Sequence, residues 1–452
     1  MVRFPHHLLP LLATCLTLAG CAGHASRTLE ARDALDAGDP ERALSLLNEE
    51  LDVSRAEDQP ADLSGDQALL LLDRAMVLQQ LGRYKLSAQD LNAADKAIDL
   101  LDLKRATADE LGRYLFSDDS GSYSAPPYEK LLINTMNLVN YLRLGELNGA
   151  RVEARRLSVV QRYLRDQAEP GAGLSGPGSY LAGFAFEYSG RATEALRYYD
   201  EALQYGDYAS LHEPVRRLAA RSSYRSPRIR KLLGGAQPEE QPPEQPRERP
   251  RDGELLVVVS YGRAPAKVAK RLPIGLALTH AASHMPPSEH ARANRLAAQG
   301  LVTWVNYPAL GRARGAGSIP DFSINGRTTP LEPVIGVDLE ARAAWREAEG
   351  AVIGAAITRM LTRLVAGEVA RQAAGDSPWG ILLSLGTQAT LTAADTPDTR
   401  SWAMLPARMA FGRQRLAPGT YDITLTARGF TRTERVRITP GGFALLNLTV
   451  LS

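Results

Sequence analysis

Four glycines, Gly38, Gly82, Gly145 and Gly190, constrain the fold most, because each closes a helical run and is followed five positions later by a small residue: Ala43, Ser87, Ala150 and Ala195. Glycine just past a helix supplies the left-handed backbone that ends it, and a small residue on the returning helix permits close approach. The pattern predicts four helical hairpins in an upstream half rich in Ala and Leu. Asp39-Pro40 adds an N-cap with proline at the first helical position. Intervals of 44, 63 and 45 residues separate the glycines, so the array is irregular. Segments 117–127 and 169–178, rich in Gly, Pro and Ser, carry the excess as loops.

The stretch 234–253 (GGAQPEEQPPEQPRERPRDG) holds five prolines and almost nothing able to enter a core. It reads as an extended, semi-rigid linker. Beyond it, 254–261 is a largely apolar run with β-branched residues, suited to a buried strand. A second strand is predicted at 301–307. From Asp338 to about Ala374 a long helix is expected, with Ile357, Met360, Leu361 and Leu364 on one face and Arg359 and Arg363 opposite. The last 70 or so residues alternate with period two between Pro-Gly turns, predicting a small antiparallel sheet or sandwich. The fold class expected is α+β and multidomain: residues 21–233 helical repeats, 234–252 linker, 253–452 a mixed α/β domain. Because the linker contributes to neither core, the two domains are expected to fold apart.

At the N-terminus, Arg3, His6 and His7 precede an apolar run from Leu8 to Leu18 that is too short to span a bilayer. It reads as a signal peptide, residues 1–20. Leu18-Ala19-Gly20-Cys21 resembles the lipobox of bacterial lipoproteins, which implies diacylglyceryl attachment at Cys21, acylation in the manner of palmitate, and anchoring in membrane lipid. Ala22 implies the outer membrane, at its periplasmic face. Cys15 leaves with the signal, so the mature chain has one cysteine and no internal disulfide. Hydrophobic residues make up 44% and charged residues 23%, an ordinary globular balance. Loss of Arg3 leaves 52 of 53 basic side chains against 51 acidic, no footprint for nucleic acid.

The fourth hairpin places Gly183, Phe186, Gly190, Ala195, Tyr199 and Ala202 where tetratricopeptide repeats carry signature residues; copies two and three match partly, through Ala75, Leu78, Leu91 and Ala94, and through Tyr141 and Ala150. The helical half therefore resembles an irregular tetratricopeptide-type solenoid. Three further motifs, Tyr128-Glu129-Lys130-Leu131-Leu132, Gly253-Glu254-Leu255 with Gly262-Arg263-Ala264-Pro265-Ala266-Lys267, and Asp398-Thr399-Arg400-Ser401-Trp402 with Leu405-Pro406, make the chain similar to an uncharacterised family of bacterial tetratricopeptide-containing outer-membrane lipoproteins. That resemblance implies an envelope setting and carries no activity.

For chemistry, His280, His284 and His290 are the first candidates, since three imidazoles can fill three positions on zinc. No glutamate follows His280 as a metalloprotease requires, and Pro286-Pro287 interrupts the helix before His290, so a solvated loop is the preferred reading and no metal or other cofactor is expected. The stretch 311–318 has glycines and two arginines but lacks the lysine and spacing of a P-loop; a mobile basic loop is expected. No Gly-x-Ser-x-Gly elbow occurs near a strand end.

Binding fits better. Asn134, Asn137 and Asn140 recur every three residues beside the apolar stripe Leu131, Leu138 and Leu142, and amides in a solenoid groove can pair with peptide backbone. Arg151 and Arg155, one turn apart, could receive a carboxylate. Trp402, beside Asp398 and Arg400, could hold a sugar face or a partner at a sheet rim, although packing around a turn is the favoured reading. The expected function is a non-enzymatic, lipid-anchored scaffold or adaptor that binds an envelope protein through its repeats. A lipoprotein binding peptidoglycan or another polysaccharide is the alternative, and a metal-dependent hydrolase the third.

Overall fold

The computed structural model describes residues 23–63, 66–98, 123, 125–167, 172–234, 252–300, 302–374 and 397–452, and in it all four predicted glycines take positive φ, between 73° and 81°. They join α2 (Leu29–Asp36) to α3 (Pro40–Glu50), α4 (Gln67–Gln80) to α5 (Tyr84–Ala97), α6 (Pro127–Arg143) to α7 (Leu147–Gln167), and α8 (Ser175–Tyr188) to α9 (Ala192–Tyr205). Each turn closes alike: Gly38 N–H donates to Leu35 O and Asp39 N–H to Ala34 O, and Gly190 and Arg191 repeat this onto Glu187 and Phe186. Orphan carbonyls at the helix end are thereby satisfied. Ala43, Ser87, Ala150 and Ala195 are fully buried in the hairpins. The Asp39 side chain accepts from Arg42 N–H, with Pro40 at the first helical position. A short α1 (His24–Arg27) precedes the hairpins; α10 (His212–Ala219) and α11 (Pro227–Leu232) follow. Neighbouring helices pack in chain order.

The remaining elements are β1 (Gly253–Tyr261), β2 (Lys267–Pro273), α12 (Ile274–Ala281), α13 (Pro287–Ala298), β3 (Trp304–Leu310), β4 (Asp321–Ile324), β5 (Arg327–Thr328), β6 (Ile335–Gly336), α14 (Val337–Ala374), β7 (Arg408–Leu416), β8 (Gly419–Ala427), β9 (Phe430–Ile438) and β10 (Phe443–Val450). The molecule is mixed α/β, about 52% helical, with fourteen helices among the described residues. None is long and apolar enough to cross a membrane. The second strand begins at Trp304, later than predicted.

Where alternation predicts a small terminal antiparallel sheet or sandwich, the last four strands divide between two facing four-stranded sheets, ordered β10-β1-β7-β6 and β5-β4-β8-β9. β10 leaves its neighbour β9 and pairs parallel with β1, from Glu254 opposite Phe443 to Tyr261 opposite Val450. The reason lies in β1, which is buried along its whole length. Leu255, Val257 and Val259 face the second sheet through Phe322, Ile423 and Leu425, while Leu256 and Val258 face the helices. A strand covered on both faces reads as continuous apolar sequence and needs a partner at each edge. β7 supplies one edge and β10 the other.

The second departure concerns the two halves. Separate cores are expected across the linker; instead one cluster unites Leu70, Met76, Leu138, Phe184 and Tyr199 with Leu256, Met404, Phe411, Leu445 and Leu451. Tyr180 stacks on Phe411 at 5.1 Å, and Phe184 meets Phe443 edge-on at 5.3 Å. Each such large side chain, fully buried, is worth about 1.5–3 kcal/mol. The inner helices α4 and α8 are correspondingly buried on nearly all sides, Asp73 and Arg74 included. A second, smaller core gathers α12, α13, β3 and the first part of α14 around Trp345, Ile353 and Ile357.

Candidate functional site

The inner face of the hairpins, where a groove for a partner is expected, is filled by the chain itself. Gln79 Oε1 of α4 accepts from the Thr449 hydroxyl of β10 at 3.1 Å, and Asp73 Oδ1 accepts from Met404 N–H at 2.7 Å. At the other end, Arg413 donates to Glu254 at 2.6 Å, to Glu187 at 2.8 Å and to the Tyr199 hydroxyl at 2.9 Å. Arg217 closes this network onto Glu254 at 2.8 Å and also pairs with Glu187.

The asparagines lie inside this arrangement. Asn134, Asn137 and Asn140 are at most 1% exposed. Asn134 donates to Glu153 at 3.1 Å, Asn137 to Asn92 at 3.3 Å, and Asn140 to Ser87 at 2.9 Å while accepting from Gln79 at 2.9 Å. They tie α6 to α4, α5 and α7. A contact with a bound peptide is therefore replaced by a structural role: the spacing of three that aligns them also turns them toward neighbouring helices. Burial likewise pushes the Glu153 carboxyl above its usual range, against Arg156 and the Asn134 hydrogen bond. Arg151 is half-buried beside Asn148 and Arg155 is exposed on α7, so these two remain reachable.

Trp402 is 2% exposed and cannot serve as a rim aromatic. It belongs to a buried ionic nest in which the three motifs of the family resemblance converge. Arg400 grips Asp398 through two bonds of 3.0 Å and lies 3.6 Å from Asp66. Lys267 N–H donates to the Ser401 hydroxyl at 3.1 Å. Burial lowers the Lys267 ammonium, opposed by Asp398 and Glu129. Burial raises the Glu129 carboxyl, opposed by a hydrogen bond from Tyr123, by the charge of Lys267 and by the Trp402 N–H. Ion pairs this dry fix geometry more than they add stability. Their effect is to hold the segments after Tyr128, before β2 and before β7 together.

His24 sits at the edge of the nest, with Nε2 2.8 Å from Asp73 Oδ2 and 1% exposure. Thr28 Oγ1 donates to His24 O at 2.9 Å, and Arg27 donates to Glu50 at 2.6 and 2.7 Å. Gly23 lies against Thr399. The chain is thus fastened to the body from Gly23 onward. Cys21, the predicted lipid site, lies outside the described residues, as does most of the linker.

The basic loop is pinned: Arg314 pairs in backbone with Arg263, and both side chains reach Asp36, at 2.5 and 3.0 Å. A buried arginine and a second one from the loop turn the expected mobile loop into a clasp on α2. The three histidines form no metal-holding group. His284 packs against Gly350 of α14, while His290, on α13, lies near Leu278 O and Asn294. Among the described residues no group of three His, Cys, Asp or Glu side chains is arranged to hold a metal ion.

An open recess does occur at the N-terminal end. A cleft of about 770 Å³ is bounded by α3, the loop after it and Arg83. Glu41, Glu49, Asp52 and Glu57 give it acid; Arg83 pairs with Glu41 at 2.7 Å. Leu44, Ser45 and Asn48 also line it. Its acidic residues lie in one short stretch of sequence, 41–57. Asp73 and Arg74, charges inside an apolar run, were the signal for the buried network. No family model matches the chain, and no curated protein or solved structure matches it.

Proposed function

We propose that this chain is a lipid-anchored, non-enzymatic adaptor of the bacterial envelope, held through Cys21 at the periplasmic face of the outer membrane, whose partner contact is the acidic cleft on α3. The reading takes the helical half as an irregular tetratricopeptide-like solenoid, supported by four identically closed hairpins with buried small residues. It differs from such a solenoid in use, because its inner face is committed to its own sheets. The single observation that carries the reading is the cleft: an opening of about 770 Å³ with four acidic groups and one arginine. Such a lining suits a cationic, hydrogen-bonding segment of another protein, steered by charge.

The test is crosslinking in cells from a photoreactive residue at Ser45, compared with one at exposed Ser223 on the α10–α11 turn. Defined protein adducts from Ser45, lost in Glu49→Lys/Glu57→Lys while the fold persists, support the adaptor. Adducts that survive the charge reversal refute the acidic cleft as the contact, and sedimentation of the purified protein with peptidoglycan and no protein adducts favours the polysaccharide alternative.

A further inference from the structure

Only Ala22 and Gly23 separate Cys21 from the buried His24, three Cα–Cα steps in all. A fully extended chain of that length reaches only about 10 Å. The polar headgroup layer on one side of a bilayer is roughly 5–8 Å thick, the difference between the hydrocarbon core and the whole membrane. No slack remains, because His24 is 1% exposed and locked onto Asp73, Arg27 is tied to Glu50, and Arg32 donates to Ala25 O at 2.5 Å. Beside these, Ser26, Leu29 and Glu30 are exposed, Leu29 to 49%.

We infer that the face formed by α1 and the start of α2 rests directly on the lipid headgroups of the anchoring bilayer, with Ser26 and Leu29 at the contact. This rests on the lipid-anchor reading. A body on a long tether samples all orientations; one with a reach of about 10 Å cannot lift this end clear of the surface. The contact needs little affinity of its own. A short tether keeps the effective concentration of the face at the headgroups high, and an exposed leucine adds apolar contact at the interface. The other end of the helical array, α10 and α11, lies farthest along the chain of packed helices from this face.

The mature chain has no thiol besides Cys21, so an introduced cysteine labels uniquely. Ser26→Cys and Ser223→Cys, both exposed positions, would carry a fluorophore in the full mature protein reconstituted into phosphatidylethanolamine/phosphatidylglycerol vesicles with a nitroxide on the headgroup. Several-fold stronger quenching at Ser26 than at Ser223 is expected. Inserting a Gly/Ser stretch of about twelve residues between Ala22 and Gly23 should remove most of that difference. Equal quenching at the two positions overturns the docking, and quenching at Ser26 that survives the insertion overturns the short tether as its cause. Mass spectrometry of the same preparation tells the failures apart: acyl present without quenching defeats the docking alone, and no acyl at Cys21 defeats both it and the anchor.

Discussion

The guanidinium of Arg413 on β7 stands 2.9 Å from the phenol oxygen of Tyr199 on α9, and the Tyr199 hydroxyl in turn donates to Glu187 at 2.5 Å. The two residues come from opposite sides of the linker. Arg413 also lies over the Phe184 ring at 4.9 Å, so its charge is enclosed by aromatic surface and two carboxylates. Arg413→Ala should destabilise the whole chain by about 3–5 kcal/mol, because Glu187 and Glu254 keep buried charge with only Arg217 left. Tyr199→Phe removes hydrogen bonds alone and should cost about 1 kcal/mol. Urea unfolding measures both; a mild Arg413→Ala phenotype contradicts the enclosed network.

Acid should weaken the same network. Burial by itself would raise the Glu187 carboxyl, but Arg413 and the Tyr199 hydroxyl hold it below the usual glutamate value of 4.5. A carboxyl lowered on folding contributes fully above its unfolded value, and that contribution is lost as pH falls through the folded one. Urea midpoints should therefore decline below pH 4.5, and Glu187→Gln should flatten that limb at the expense of stability near neutrality. A Glu187→Gln profile parallel to the parent refutes the assignment.

Replacing Asn134, Asn137 and Asn140 together with Ala should unfold or severely destabilise the helical half, since each loss leaves a buried partner unsatisfied at about 1–3 kcal/mol. Circular dichroism during thermal melting reads this directly. A triple variant that melts like the parent would return these amides to the list of surface contacts.

Nicking within residues 235–251 should leave the two pieces associated, because Leu256, Phe411 and Leu445 pack among the helical residues of one core. Gel filtration after limited proteolysis is the measurement. Fragments that elute separately in native buffer would show that the shared core does not hold.

Much of the architecture is legible from local chemistry. The glycine at each hairpin turn, the Asp39 cap, the long helix from Val337 and the strand at 254–261 all follow from rules spanning a few residues. The partnership of distant segments does not. Nothing local in Phe443–Val450 says that its neighbour is β1 rather than β9, since an alternating strand fits either edge. The asparagine ladder misleads for a related reason: its period places the amides on one helix face, and only the packing of α5 and α7 decides that the face is closed. Trp402 and the ionic nest depend on three segments meeting, which no single window of sequence contains.

The parallel pairing of β10 with β1 also sets a timetable. Residues 443–450 are synthesised after the other nine described strands, and they cover an edge of β1, an inner strand of its four-stranded sheet. Until they arrive, β1 presents an unpaired apolar edge and the helices before it lack Leu445 and Leu451 from their core. Completion of the native state therefore waits for residues 443–451, however early the hairpins form. A protein built this way stays threadable while it is being made, and becomes rigid only once β10 is free to join the rest.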